Sequence, residues 1–140
     1  SFVSTRSRPW IDSGVERAGD DPLTIREVGD LTVQLHAAEA LVDRAGAKVD
    51  IAAADSNADT VAAASIAVAE SRVLTNNVSL AAGSKLFELA GTQSTLAENN
   101  LDRHWRNART HTLHDPVRWK YHAIGNYYLN DKKPPRHGAL

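Results

Sequence analysis

The sequence predicts an all-α fold, an antiparallel helical bundle of about four helices. Three observations predict it. Apolar residues recur at spacings of three and four over long stretches, the period of one helix face. No stretch alternates apolar and polar with period two, so no strand is expected. Clusters of Gly, Pro, Asp and Asn separate the periodic stretches.

Residues 1–21 form a lead-in broken by Pro9, Gly14, Gly19 and the pair Asp20-Asp21. Asp21 is a candidate N-cap, with Pro22 at the first helical position. One helix is expected from about Pro22 to Ala54. Val28, Leu31, Leu35, Ala38, Val42, Ala45 and Val49 form its heptad-type seam. Gly29 and Gly46 each weaken it by roughly 1 kcal/mol relative to alanine, too little to outweigh the seam.

Asp55, Ser56 and Asn57 can cap and turn the chain. A second helix follows from about Ala58 to Ala90, antiparallel to the first because the turn is short. Its small residues, as in AAASIAVAE, suit a helix approached closely on more than one face. Gly91 suits its C-terminal cap. A helical pattern resumes with Leu96, Leu101 and Trp105. Asp115 and Pro116 then read as cap and first helical residue, and a last helix is expected over about Val117 to Leu129. The bundle domain is therefore residues 22–130. Residues 131–140, NDKKPPRHGAL from its Asp onward, read as an extended or mobile tail.

A length of 140 residues suits one domain. A composition 42 % hydrophobic and 24 % charged suits a soluble globular one. The net charge of −1 supplies no field toward nucleic acid or an anionic membrane, and neither partner is expected. The absence of cysteine excludes disulfides, thiolate zinc sites and cysteine nucleophiles. It also fits a reducing compartment, so a cytoplasmic location is expected. There is no apolar run of about 18 residues for a membrane span. Methionine is absent even at position 1, and the chain is expected to be a fragment of a longer polypeptide.

Candidate chemistry concentrates in RHWRNARTHTLHDPVRWKYH, residues 103–122. His111 and His114 are three apart, with Asp115 adjacent, a ligand set of known type. The helix break between the second and third members makes that set awkward, and no metal is expected. Arg103, Arg106 and Arg109 fall at i, i+3 and i+6, an ordinary basic helix edge as much as a phosphate patch. His114 can sit at a pocket edge as an acid or base near neutral pH, or can simply fill a helix junction. His36 reads as structural, and Trp105 and Trp119 as core filling.

The long helices, the AGTQST turn and the segment LDRHWRNARTHTLHDP together resemble the C-terminal helical domain of the acyl-CoA dehydrogenase superfamily. Trp105-Arg106-Asn107-Ala108 corresponds to that family's tyrosine-arginine-aspartate-alanine segment. Leu113-His114-Asp115-Pro116 falls where its tyrosine-glutamate-glycine-threonine segment stands. Many of the dehydrogenases take their catalytic glutamate from the latter. Here His114 holds that place, and no glutamate follows Glu98.

The segments TRSRPWIDSGVERAGDDPLTIREVGDL, LHAAEALVDRA and NLDRHWRNARTHTLHDPVRWKYHAIGNYYLN are most similar to the flavin-dependent monooxygenase branch, the dibenzothiophene monooxygenase-like and sulfur-acquisition oxidoreductases. The resemblance implies oxygen transfer to a sulfur-containing or similar small substrate through a flavin C4a-hydroperoxide. The flavin would be reduced FMN from a separate reductase. It implies that His114 is the active-site histidine, that His111 is a second one, and that Arg8, or Arg6 in the alternative register, contacts the flavin phosphate. It also implies a three-domain parent chain that assembles as a dimer or tetramer. The alternatives are an FAD-dependent acyl-CoA dehydrogenase with an unusual base, and a non-enzymatic helical oligomerisation domain.

Overall fold

The structure, a computed structural model, describes residues 2–137. Its helices are Phe2–Arg6 (α1), Pro22–Ala54 (α2), Ala58–Ala90 (α3), Asp102–Leu113 (α4) and Val117–Asn130 (α5). Turns of 3-10 helix lie at Ile11–Ser13, Ala18–Asp20 and Thr92–Thr95. Among the described residues there is no strand. The fold is all-α, and its four main helices, α2 to α5, pack as a bundle.

The ends of α2 and α3 follow from local chemistry. The Asp21 carboxylate accepts hydrogen bonds from the backbone N–H groups of Leu23 and Thr24, each at 3.2 Å, and from the Thr24 hydroxyl at 2.7 Å. Those N–H groups have no partner inside the helix, so the carboxylate caps it. Asn57 caps α3 in the same way, its Oδ1 accepting from the N–H groups of Asp59 at 2.9 Å and Thr60 at 3.0 Å. Gly91, at φ 70°, stops α3 while its N–H still bonds the Phe87 carbonyl at 3.0 Å.

Three expectations are corrected. The helical pattern from Leu96 does not form until Asp102. Asn99 Nδ2 instead bonds the Gln93 carbonyl at 2.8 Å, and Asn100 takes φ 45°, so this segment turns rather than winds. Helix α5 starts at Val117 as expected, but Pro116 takes the cap position in place of Asp115 and there is no side-chain cap bond. Asp115 is drawn away by Lys120, whose Nζ lies 2.6 Å from Oδ2.

The α2 seam also divides. Ala38 and Ala45 are buried, but Val28, Leu35, Val42 and Val49, spaced by seven, remain 45–49 % exposed. The row that goes inward beside Leu31, Ala38 and Ala45 is Gln34, Leu41 and Lys48. Both rows flank the same central one, so periodicity fits either. The side from which neighbours approach decides between them. On α3, Ala62, Ile66 and Ala69 are buried on one face and Ala64 and Ala67 on another, as a helix packed on several sides requires.

The chain forms two compact units. One combines the residues up to Gln34 with Val78–His111. Within it Ala18 is buried, Lys85 Nζ bridges Glu27 at 3.0 Å and Glu88 at 2.8 Å, and Trp105 lies on Gly83. The other combines Leu35–Asn77 with the residues from Thr112. There Asp55–Asn57 turn α3 back beside α2, and Glu70 accepts from both Arg44 and Tyr128. Asn77 Nδ2 donates to the Tyr121 hydroxyl at 2.9 Å. No helix among the described residues is long and apolar enough to cross a membrane.

Candidate functional site

Arg6 ends α1 and Arg8 follows it in the lead-in. Both are exposed, and both line one cleft of about 260 Å3. Its other wall is the end of α3 and the turn beyond, Glu88 to Gln93. The wall exists because Gly91 takes a positive φ and Ser94 closes the turn, its hydroxyl bonding the Gly91 carbonyl at 2.5 Å. Ser94 is 1 % exposed, so the turn is anchored. Two arginines, a hydroxyl and an amide side chain line the cleft with one carboxylate, Glu88, which Lys85 pairs at 2.8 Å, and the net cationic lining suits an anionic group such as a phosphate. Sequence reasoning treated Arg8 and Arg6 as alternatives, and the structure brings them together.

His111 lies in the last turn of α4 and is exposed. It is not among the residues that line the arginine cleft. His114 lies just past α4, exposed, in the non-helical junction 114–116. Among the described residues no three His, Asp or Glu side chains group closely enough to hold a metal ion.

That junction is held from below. Lys120 is 3 % exposed, and its ammonium meets the Asp115 carboxylate at 2.6 Å. Sequence reasoning missed this pair, because a lysine four residues past a proline reads as a solvated helix residue. It also missed a cavity of about 480 Å3 between α5 and the tail. Asp131 takes φ 53°, the Lys132 N–H bonds the Asn126 carbonyl at 3.1 Å, and Lys133 pairs with Asp59 at 2.7 Å. These contacts turn the tail back so that Pro134 and Pro135 face Trp119 and His122. Asp115 and Pro116 close one end. Trp119, expected in the core, is 59 % exposed and meets His122 edge-on at 5.4 Å. Trp105 is 39 % exposed, and His36 is exposed rather than structural.

Residues 1–119 match the family described as acyl-CoA dehydrogenase, C-terminal domain. The chain belongs to that family. Within it, the chain is 37 % identical over 136 residues to the probable FMNH2-dependent monooxygenase SfnC of Pseudomonas putida, covering 95 % of this chain and 34 % of that one. It is 36 % identical over 140 residues to dibenzothiophene monooxygenase of Mycolicibacterium goodii, covering 95 % and 33 %. Methanesulfinate monooxygenase MsuC of Pseudomonas fluorescens superposes with a TM-score of 0.91 at 36 % identity, covering 97 % and 36 %. This acyl-CoA dehydrogenase C-terminal domain thus spans about a third of the length of these relatives.

Proposed function

We propose that this chain is the C-terminal helical part of a reduced-FMN-dependent monooxygenase that transfers oxygen to a sulfur-containing small organic molecule. The observation that carries the reading is the pairing of Arg6 and Arg8 on one cleft, in a chain similar to FMNH2-dependent and sulfur-compound monooxygenases. Reduced FMN, when bound, supplies the electrons that activate dioxygen.

The chain's own residues bind and orient. Arg6 and Arg8 hold the flavin phosphate, with the Thr92 and Gln93 side chains completing the cleft. His114, on a junction held by a buried ion pair, donates or holds a proton at the oxygen being transferred. His111 is the second histidine of this set. The parent is a three-domain chain in which residues 1–21 lead into the bundle and the residues from 131 form its tail. It assembles as a dimer or tetramer in the cytoplasm, with a separate reductase supplying reduced FMN.

The test uses the full-length parent, reduced FMN, labelled dioxygen and a panel of organosulfur compounds. Label appearing in a sulfoxide, sulfone or sulfonate, with FMN affinity falling in Arg8→Ala, supports the reading. Tightly retained FAD that is bleached by an acyl-CoA, with no label transferred, overturns it in favour of dehydrogenation.

A further inference from the structure

Lys120 is a buried cation outside the arginine cleft. A lysine is almost never fully buried without a partner, because desolvating its ammonium is costly. Its partner here is Asp115, whose side chain is 30 % exposed and whose Oδ2 lies 2.6 Å from Nζ. Asp115 stands one residue before Pro116, which takes the cap position of α5. It makes no cap bond to α5. The carboxylate turns inward to the lysine instead.

The consequence falls on the residue before it. Residues 114–116 are the only non-helical residues between α4 and α5. His114 therefore lies outside both helices. Thr112, just before it, is buried, and the Trp119 N–H bonds the Pro116 carbonyl at 3.0 Å. The Asp115 side chain therefore ties the middle of the junction to the first turns of α5. A group that transfers a proton needs its reacting atoms fixed to a fraction of an ångström.

We infer that Lys120, acting through Asp115, is a positioning residue for His114. The inference rests on the monooxygenase reading, which gives His114 its role. Lys120 touches neither flavin nor substrate in this scheme. Its effect is on the geometry of the junction.

The experiment uses the full-length parent with four variants: Asp115→Asn, Lys120→Met, the double variant and His114→Ala. Turnover, substrate KM, FMN affinity and thermal stability are measured for each. Backbone hydrogen exchange over residues 113–119 is measured without FMN. Disturbed positioning lowers kcat by about 10- to 100-fold in Asp115→Asn and Lys120→Met, with KM and FMN affinity unchanged. The double variant loses no more than either single one, because the two residues act as a unit. Exchange speeds up over 113–119 and not elsewhere.

Wild-type turnover in a folded Asp115→Asn protein overturns the inference, as does equal loss of FMN binding and turnover. If Asp115→Asn fails to fold because it strands the buried ammonium, Lys120→Met and the double variant carry the test, since neither keeps that buried cation, and wild-type turnover in either overturns the inference. Unchanged turnover in His114→Ala removes the role of His114 itself, a failure distinct from that of the ion pair.

Discussion

Trp105 lies directly on Gly83: a Cβ placed at residue 83 would stand 3.3 Å from Trp105 Cδ1 and 3.4 Å from its Cα. The glycine is inside α3, about two turns before its end, where it costs helix stability, yet α4 approaches closely only because no side chain intervenes. Two effects oppose each other in Gly83→Ala. Alanine gains up to about 1 kcal/mol in helix propensity. The contact requires Trp105 to retreat by a few tenths of an ångström. Gly83→Ala should therefore change the melting temperature little. Gly83→Val adds branching and bulk and should destabilise by about 1–3 kcal/mol through overpacking. Thermal unfolding of the two variants against wild type checks this, and a stable Gly83→Val protein would mean that α4 does not sit so close.

The Asp21 cap should make stability fall in acid. The hydrogen bond from Thr24, joined by the backbone N–H groups of Leu23 and Thr24, lowers the Asp21 carboxyl below the ordinary aspartate value. A lowered folded-state value means the contribution is complete above the ordinary value and is lost as pH falls through the folded one. Asp21→Asn keeps an effective cap but carries no charge. Melting temperatures from about pH 5 down to pH 2 should fall less steeply in Asp21→Asn than in wild type. Glu27 is also lowered, chiefly by its hydrogen bond with Lys85, so some acid dependence should remain in the variant. Parallel curves would show that the cap does not titrate.

Tyr128 gives the opposite sign. Desolvation, and then its hydrogen bond to Glu70, raise the phenol above the ordinary tyrosine value, while Arg44 pulls it down. Its contribution to stability is therefore complete below the ordinary value of about 10 and is lost as pH rises through the folded one. Ultraviolet difference titration against Tyr128→Phe isolates this phenol. Glu70→Gln removes the acceptor charge and should move the titration down. Arg44→Met removes the cation and should move it up. Shifts of the same sign in both variants would break this account of the cluster.

These two sites show what the sequence carries. Asp21-Pro22, Asn57 and Gly91 are local devices, each using its own backbone neighbours, so the limits of α2 and α3 could be read directly. Lys120 is the opposite case. Its burial depends on how the chain folds around α5, and nothing near it in sequence announces a lost cap at Asp115. The same holds for the α2 seam, where two apolar rows flank one centre and only the neighbours choose between them. Arg6 and Arg8 were legible through family resemblance rather than spacing, because the wall they face comes from residues 88–93. The cavity beside α5 depends on a tail turned by Asp131 in a left-handed conformation, which asparagine or glycine would have signalled more clearly.

The outward α2 row bears on assembly. Leu35, Val42 and Val49 stand seven residues apart on one helix, each nearly half exposed. Completing the burial of such a side chain is worth roughly 1 kcal/mol, so a row of them favours association only when several are covered together. In an isolated chain, Val42→Asp should cost no more than about 0.5 kcal/mol, as surface substitutions do. On an interface between two copies it would place a carboxylate in the middle of an apolar contact and promote dissociation. Light scattering of the full-length parent distinguishes the cases. The proposed oligomer predicts a lower mass for Val42→Asp at micromolar concentration, with helix content retained. An unchanged mass with an unchanged melting temperature would assign this row to solvent. An unchanged mass with a lower melting temperature would place it against another part of the same chain.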